Sequence, residues 1–121
     1  MIMKSYTDIE QSTKLANILP IESADMYYFG IDDYPNSSKQ YHEILIGKID
    51  KDDIDEFGHI PCWSLAALLS VLPKSARLER GKATELYRAS LPVELEASDW
   101  YINPVDACYE MIIKLHEQKL L

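Results

Sequence analysis

His59, Cys62 and Ser64 stand within one short stretch, GHIPCWS (58–64), and these are the residue types that bind metals or attack carbonyl carbons. A zinc site takes thiolate and imidazole ligands, and His59-x-x-Cys62 has the spacing to start one, with Cys108 and His116 as remaining ligands. The second pair fails on geometry. Eight residues apart on one helix, Cys108 and His116 lie about 12 Å apart along the axis and about 80° apart around it. Bonds of roughly 2.0–2.3 Å to one ion cannot span that separation. No metal site is expected, and Cys108 reads as a small core residue.

Nucleophilic catalysis needs a base oriented beside the nucleophile, a relation defined in space rather than in sequence. Ser64 fits better as the N-cap of the apolar run that follows, and no G-x-S-x-G elbow is present. Four scattered glycines build neither a P-loop nor a dinucleotide-binding turn. No catalytic residue and no cofactor is therefore assigned. An enzyme with an unrecognised site near His59 and Cys62 stays as a secondary alternative.

The acidic run DKDDIDE (50–56) resembles a calcium loop only superficially. Counted from Asp50, the fifth position is Ile54, the sixth Asp55 and the twelfth Pro61, where that loop needs an oxygen ligand, glycine and glutamate. The expectation is a solvated acidic loop. Across the chain, 12 basic against 20 acidic residues give a net charge of −8. That sign argues against direct nucleic-acid binding, which depends on neutralising phosphates. It suits a soluble monomer or a partner for basic surfaces. It also admits an acidic mimic of nucleic acid that occupies a host DNA-binding protein.

Aromatic residues offer a different chemistry. Tyr27, Tyr28, Phe29, Tyr34 and Tyr41 cluster in one hairpin, and Trp63, Tyr87, Trp100, Tyr101 and Tyr109 fall in the second half. Strand alternation places Tyr27 and Phe29 on one face and Tyr28 on the other. Tyrosine is a frequent anchor at protein interfaces, so Tyr28, Tyr34 and Tyr101 are the candidate partner-binding residues. Stacking of single-stranded bases would need a basic groove that the sequence lacks.

These residues must be positioned by an ordinary globular chain. It has 121 residues, 47% hydrophobic and 26% charged, enough for one domain with its own core. Two cysteines make no disulfide framework, and buried thiols in a reducing cytosol are expected. The opening MIMKSYTDIEQS has no apolar run after its lysine, so no secretory signal is expected, and the Asn36-Ser37-Ser38 sequon carries no weight. No run reaches the roughly 18–20 apolar residues of a membrane span, which gives a cytoplasmic expectation without membrane association.

Thr7 with Glu10 reads as a capping box opening a helix over 8–18, ended ahead of Pro20. Residues 24–31 and 41–49 read as strands joined through a long turn at 32–40. In IPCWSLAALLSVLP (60–73), Leu65, Leu68, Leu69 and Leu72 make one apolar stripe on a core helix over 65–72. Ala66, Ala67 and Ser70 allow a neighbour to approach closely. Gly81 marks a second hairpin, and alternation from Val93 through DWYI suggests a further strand. Asn103 caps a terminal helix over 104–119, with Pro104 at its first position and Val105, Cys108, Ile112 and Leu115 as its stripe.

The expected fold is α+β, with an antiparallel sheet of about four to five strands and three helices packed on one face. Three segments, TDIEQSTKLANILPIESADMYY, IPCWSLAALLSVLP and NPVDACYEMIIKLHEQKLL, resemble in order and spacing a family of small uncharacterised proteins. That family occurs in prophages and mobile elements of gut Bacteroides and relatives. The resemblance covers about half the chain, and Pro61 to Leu65 and the terminal capped helix are its most specific parts. It implies a phage-derived or mobile gene and a bacterial cytoplasm, and it carries over no catalytic residue. The resulting expectation is a non-catalytic interaction module with an unidentified protein partner or a second copy of itself as a homodimer.

Overall fold

Asp8 and Gln11 open the first helix by exchanging hydrogen bonds. The Gln11 N–H donates to Asp8 Oδ1 at 2.7 Å, and the Asp8 N–H donates to Gln11 Oε1 at 3.1 Å. The box thus sits one residue beyond the expected Thr7–Glu10 pair. An ionised carboxylate caps in place of a hydroxyl, and Thr7 is fully buried. The computed structural model describes residues 4–33, 38–81, 86–91 and 98–120. They form four α-helices and two antiparallel sheets, one of three strands and one of two, and divide into two compact units. The α+β class stands. The single sheet carrying three helices does not: the strands fall into two sheets, and a fourth helix replaces the expected acidic loop.

The first unit spans Asp8–Ser64. It contains α1 (Ile9–Ala16), β1 (Met26–Asp33), β2 (Ser38–Ile46), α2 (Lys51–Phe57) and β3 (Ile60–Cys62). β1 pairs with β2 as a hairpin, from Met26 opposite Ile46 to Asp33 opposite Ser38, with a register shift between Phe29 and Ile31. β3 pairs with the other side of β1, so the strand order is β2-β1-β3. Sequence patterning misses β3 because Pro61 lies at its centre. Proline has no N–H to give a ladder, and a strand containing it belongs at a sheet edge, where β3 is found. Leu15, Leu19, Ala24, Cys62 and Trp63 are buried in this unit.

α2 overturns the loop expected at 50–56. Asp50 accepts from the Asp53 N–H and Asp53 accepts from the Asp50 N–H, each at 3.0 Å. Gly58 then ends the helix at φ +68°, a left-handed conformation that suits glycine. Asp52 and Asp53 lie in the first turn, where the helix dipole favours negative charge. None of its residues is buried, so the apolar periodicity that announces most helices is missing here.

The second unit joins the opening segment to Leu65–Leu121. It contains α3 (Leu65–Val71), β4 (Arg77–Arg80), β5 (Tyr87–Ser90) and α4 (Pro104–Glu117). Asn103 Oδ1 accepts from the Val105 N–H at 3.2 Å, with Pro104 behind the cap. The expected stripe of Val105, Cys108, Ile112 and Leu115 is fully buried, and Met111 and Ala107 widen it. α4 packs on both α3 and β5 and forms the centre of this unit. The buried side of α3 runs through Ala67 and Leu68 and continues at Leu72 just past its end, while Leu69 is 38% exposed. The leucine stripe is therefore rotated from the one expected. Residues 93–97 of the expected strand lie outside the described residues. Its end is visible where the Ser98 N–H donates to Ala89 O at 2.8 Å and Tyr101 bridges to Tyr87.

This rotation has a measurable consequence. Leu68→Ala is expected to destabilise by about 2–5 kcal/mol and Leu69→Ala by less than about 1 kcal/mol in urea unfolding. Equal losses at both positions would contradict the helix orientation.

Candidate functional site

The backbone alternation of β1 and β3 decides what His59 and Cys62 can do together. Tyr27 opposes Pro61, and Met26 and Tyr28 oppose Cys62 and Ile60. Directly opposed residues leave a sheet on the same side, and successive residues leave on opposite sides. Cys62 therefore shares the Met26 and Tyr28 face, where it is fully buried. The His59 ring packs on the other face, 5.3 Å from Tyr27 and 4.8 Å from Phe29 between ring centroids, with Phe57 at 5.6 Å. The sheet separates the imidazole from the thiol. Tyr27 and Phe29 share a face, as alternation requires, and with Phe57 they bury His59 to 9% exposure.

Ser64 is held by Asp25. Its N–H donates to Oδ1 at 3.0 Å and its hydroxyl donates to Oδ2 at 2.5 Å. Next to it, Trp63 Nε1 donates to the Ser23 hydroxyl at 2.9 Å, and that hydroxyl donates to Pro20 O at 2.6 Å. These bonds fix the turn between α1 and β1 against the end of β3. In the other unit Cys108 is fully buried, and that burial pushes its thiol up to about 11, so the nucleophilic thiolate is scarce at neutral pH. Among the described residues no group of three or more His, Cys, Asp and Glu side chains is placed to hold a metal.

The aromatic candidates separate by the same alternation. Tyr28 is half-buried on the Cys62 face of β1, and Tyr34 lies outside the described residues. Tyr101 bridges to Tyr87, which opposes Arg80 on a face it shares with Leu78 and the fully buried Ala89. α4 packs on β5 and brings Glu110 and Asp106 near the Tyr101 phenol. Burial raises the Tyr101 phenol above its ordinary value, reinforced by Glu110, Asp99 and Asp106. Tyr101 thus turns inward, and its neighbour Trp100 turns out.

Trp100 is the residue that sequence reasoning passed over. It is 40% exposed, Ile102 is 54% exposed, and the Arg88 guanidinium lies 4.5 Å from the centroid of the Trp100 ring. Arg88 Nη2 donates to Glu79 Oε2 at 2.7 Å across the hairpin, and the Ser90 hydroxyl donates to Glu79 Oε1 at 2.9 Å. The Arg88 hydrogen bond, then that of Ser90, holds the Glu79 carboxyl below the usual glutamate range. The Arg88 Nε is buried with no hydrogen-bond partner among the described residues. Glu79, Arg88 and Ser90 thereby hold the outward side of the hairpin in one arrangement, with a tryptophan set against a fixed cation. Alternation through SDWYI carries this signal in the sequence once Tyr101 is known to face inward.

No family model, curated protein or solved structure matches the chain.

The depressed Glu79 carboxyl stabilises the hairpin above the ordinary glutamate range, and that contribution is lost as pH falls through its folded value. Glu79→Gln is expected to cost less than about 1 kcal/mol at neutral pH, because both partners are about a third exposed. The cost should shrink toward zero in acid. A cost that is the same at neutral and acid pH, read from urea midpoints, would exclude the charged pair as its source.

Proposed function

We propose that this chain is a non-catalytic protein-interaction module of prophage or mobile-element origin, acting in the bacterial cytoplasm through the outward side of its second unit. The observation that carries this reading is the exposed Trp100 beside Ile102, held by Arg88. Tryptophan and arginine are over-represented among residues that dominate binding energy, and a side chain already fixed in place loses little entropy when a partner covers it. The separation of His59 from Cys62 by the sheet, the buried Cys62 and the commitment of the Ser64 hydroxyl to Asp25 favour binding over catalysis.

Tyr28 and Tyr101 move to a supporting role: one is half-buried on the Cys62 face and the other turns toward α4. A nucleic-acid mimic needs carboxylates free to imitate phosphates, and Asp50 and Asp53 are engaged in capping α2. That observation favours the interaction module over the mimic. The partner is a host or phage protein, or a second copy of the chain.

Capture on tagged protein from lysates of the host, before and after prophage induction, tests the surface. Trp100→Ala combined with Ile102→Ala is expected to strip the co-purifying protein, or to abolish a dimer seen by light scattering. Tyr28→Ala should leave either intact. Retention of every partner by the double variant would remove this face from the binding surface.

A further inference from the structure

We infer that the face built around His59 in the first unit docks a basic segment of a partner protein, one that sets arginines around an apolar side chain. The inference goes beyond the Trp100 surface, which belongs to the second unit. It starts from where the charge lies. Between Asp8 and Ser64 stand 12 acidic and 4 basic residues, and the remainder of the chain has 8 of each. The entire −8 therefore belongs to the first unit, and the second is neutral.

Within that unit the His59 face exposes aromatic rings. Phe29 is 38% exposed and Phe57 is 54% exposed, and both pack on the one buried imidazole, which makes them a single patch. Tyr27 packs on the same imidazole, and Leu45, opposite Tyr27 in the register, extends the apolar character. Exposed apolar side chains gathered in one place mark a contact surface, where single ones do not.

Carboxylates stand along one flank of this patch. Phe57 is the last residue of α2, and helical spacing puts Asp53, four residues before it, at its side. Asp52 and Glu56, four residues apart, continue that flank. Both are exposed and make no ion pair or side-chain hydrogen bond among the described residues. Glu43 holds the register position opposite Phe29. The four lysines of the unit have other places. Lys51 lies on the opposite flank of α2 with Asp55, and Lys48 donates to Glu22 O. Lys14 lies on α1, and Lys39 holds the register position opposite Asp32.

Such a face selects its occupant by chemistry. Arginine stacks its guanidinium on aromatic rings and pairs with carboxylates, and an apolar side chain between two arginines covers Phe29 and Phe57. A metal ion or a polyamine would meet the carboxylates and leave the rings in water. Nucleic acid is repelled by the charge of this unit, and a second copy meeting it through the same face would set −8 against −8.

Fluorescence anisotropy of labelled peptides, titrated with the full chain, tests the inference. The probes carry arginines flanking a leucine, the same arginines flanking a serine, and glutamates flanking a leucine. The arginine–leucine peptide is expected to bind best, and added salt to weaken it. Asp52→Asn and Glu56→Gln should each weaken that binding roughly twofold to fivefold, the range of one exposed ion pair, and Asp55→Asn should weaken it less than either. Phe57→Ala should weaken it about fivefold or more, as loss of an anchor does. The charge variants alter exposed positions only, so they decide the matter where Phe57→Ala disturbs the packing of His59. No binding of the arginine–leucine peptide, or equal binding of the glutamate peptide, would overturn the basic partner. Equal binding of the serine peptide, or an equal loss from Asp55→Asn, would overturn it as well, since either means attraction to net charge alone. A dimer that Phe57→Ala abolishes in light scattering would replace the basic partner by a second copy.

Discussion

Side chains of successive strand residues leave opposite faces, and this two-residue period governs every candidate residue on the two sheets. In the first unit it sends Cys62 to the side of Met26 and Tyr28 and leaves His59 with Tyr27 and Phe29. In the second it turns Tyr101 toward α4 and Trp100 toward Arg88. Nearness in sequence therefore misleads in both places. His59 and Cys62 are three residues apart and face away from each other, while Glu79 and Arg88, nine apart, meet across a hairpin at 2.7 Å. A strand separates neighbours and a hairpin brings distant residues together.

Acidic residues do more structural work here than a net charge conveys. Asp8 and Asp50 each cap a helix through a reciprocal box, and Asp25 binds both donors of Ser64. Each carboxylate accepts from nearby N–H or O–H groups, and a charged acceptor makes the stronger bond. The run at 50–56 shows how this changes the meaning of composition. Its carboxylates suggest a solvated loop or a decoy for phosphate, yet two of them exist in the structure as the means of starting α2.

Elements with strong local signals were legible. α4 has a cap, a proline at its first position and a long apolar stripe, and all three appear where the sequence places them. The two hairpins were legible from alternation and turn residues. Weaker elements were not. β3 is three residues with a proline at its centre, and α2 has no buried residue, so neither carries a periodicity to detect. The division into two sheets also escaped, because strand patterns give no information on which strands share a ladder. The site was half legible. Aromatic content pointed to SDWYI, the segment of the proposed surface, but preferring Trp100 to Tyr101 required knowing which of the two turns toward α4, and that is a property of tertiary packing.

The same packing explains why the Trp100 surface is ordered without being buried. Tyr101 is anchored inward by two backbone bonds to Tyr87, its N–H donating to Tyr87 O at 2.8 Å and its carbonyl accepting from the Tyr87 N–H at 2.6 Å. Its ring lies against the unit's main helix, so the adjacent residue has little freedom of direction. Arg88 then stands at the indole, itself held by Glu79, which Ser90 holds in turn. An exposed indole on a mobile loop would give up rotamer entropy on binding; here folding has already taken most of that cost. The fold thus places an ordered aromatic against a paired arginine on the outside by anchoring one tyrosine on the inside.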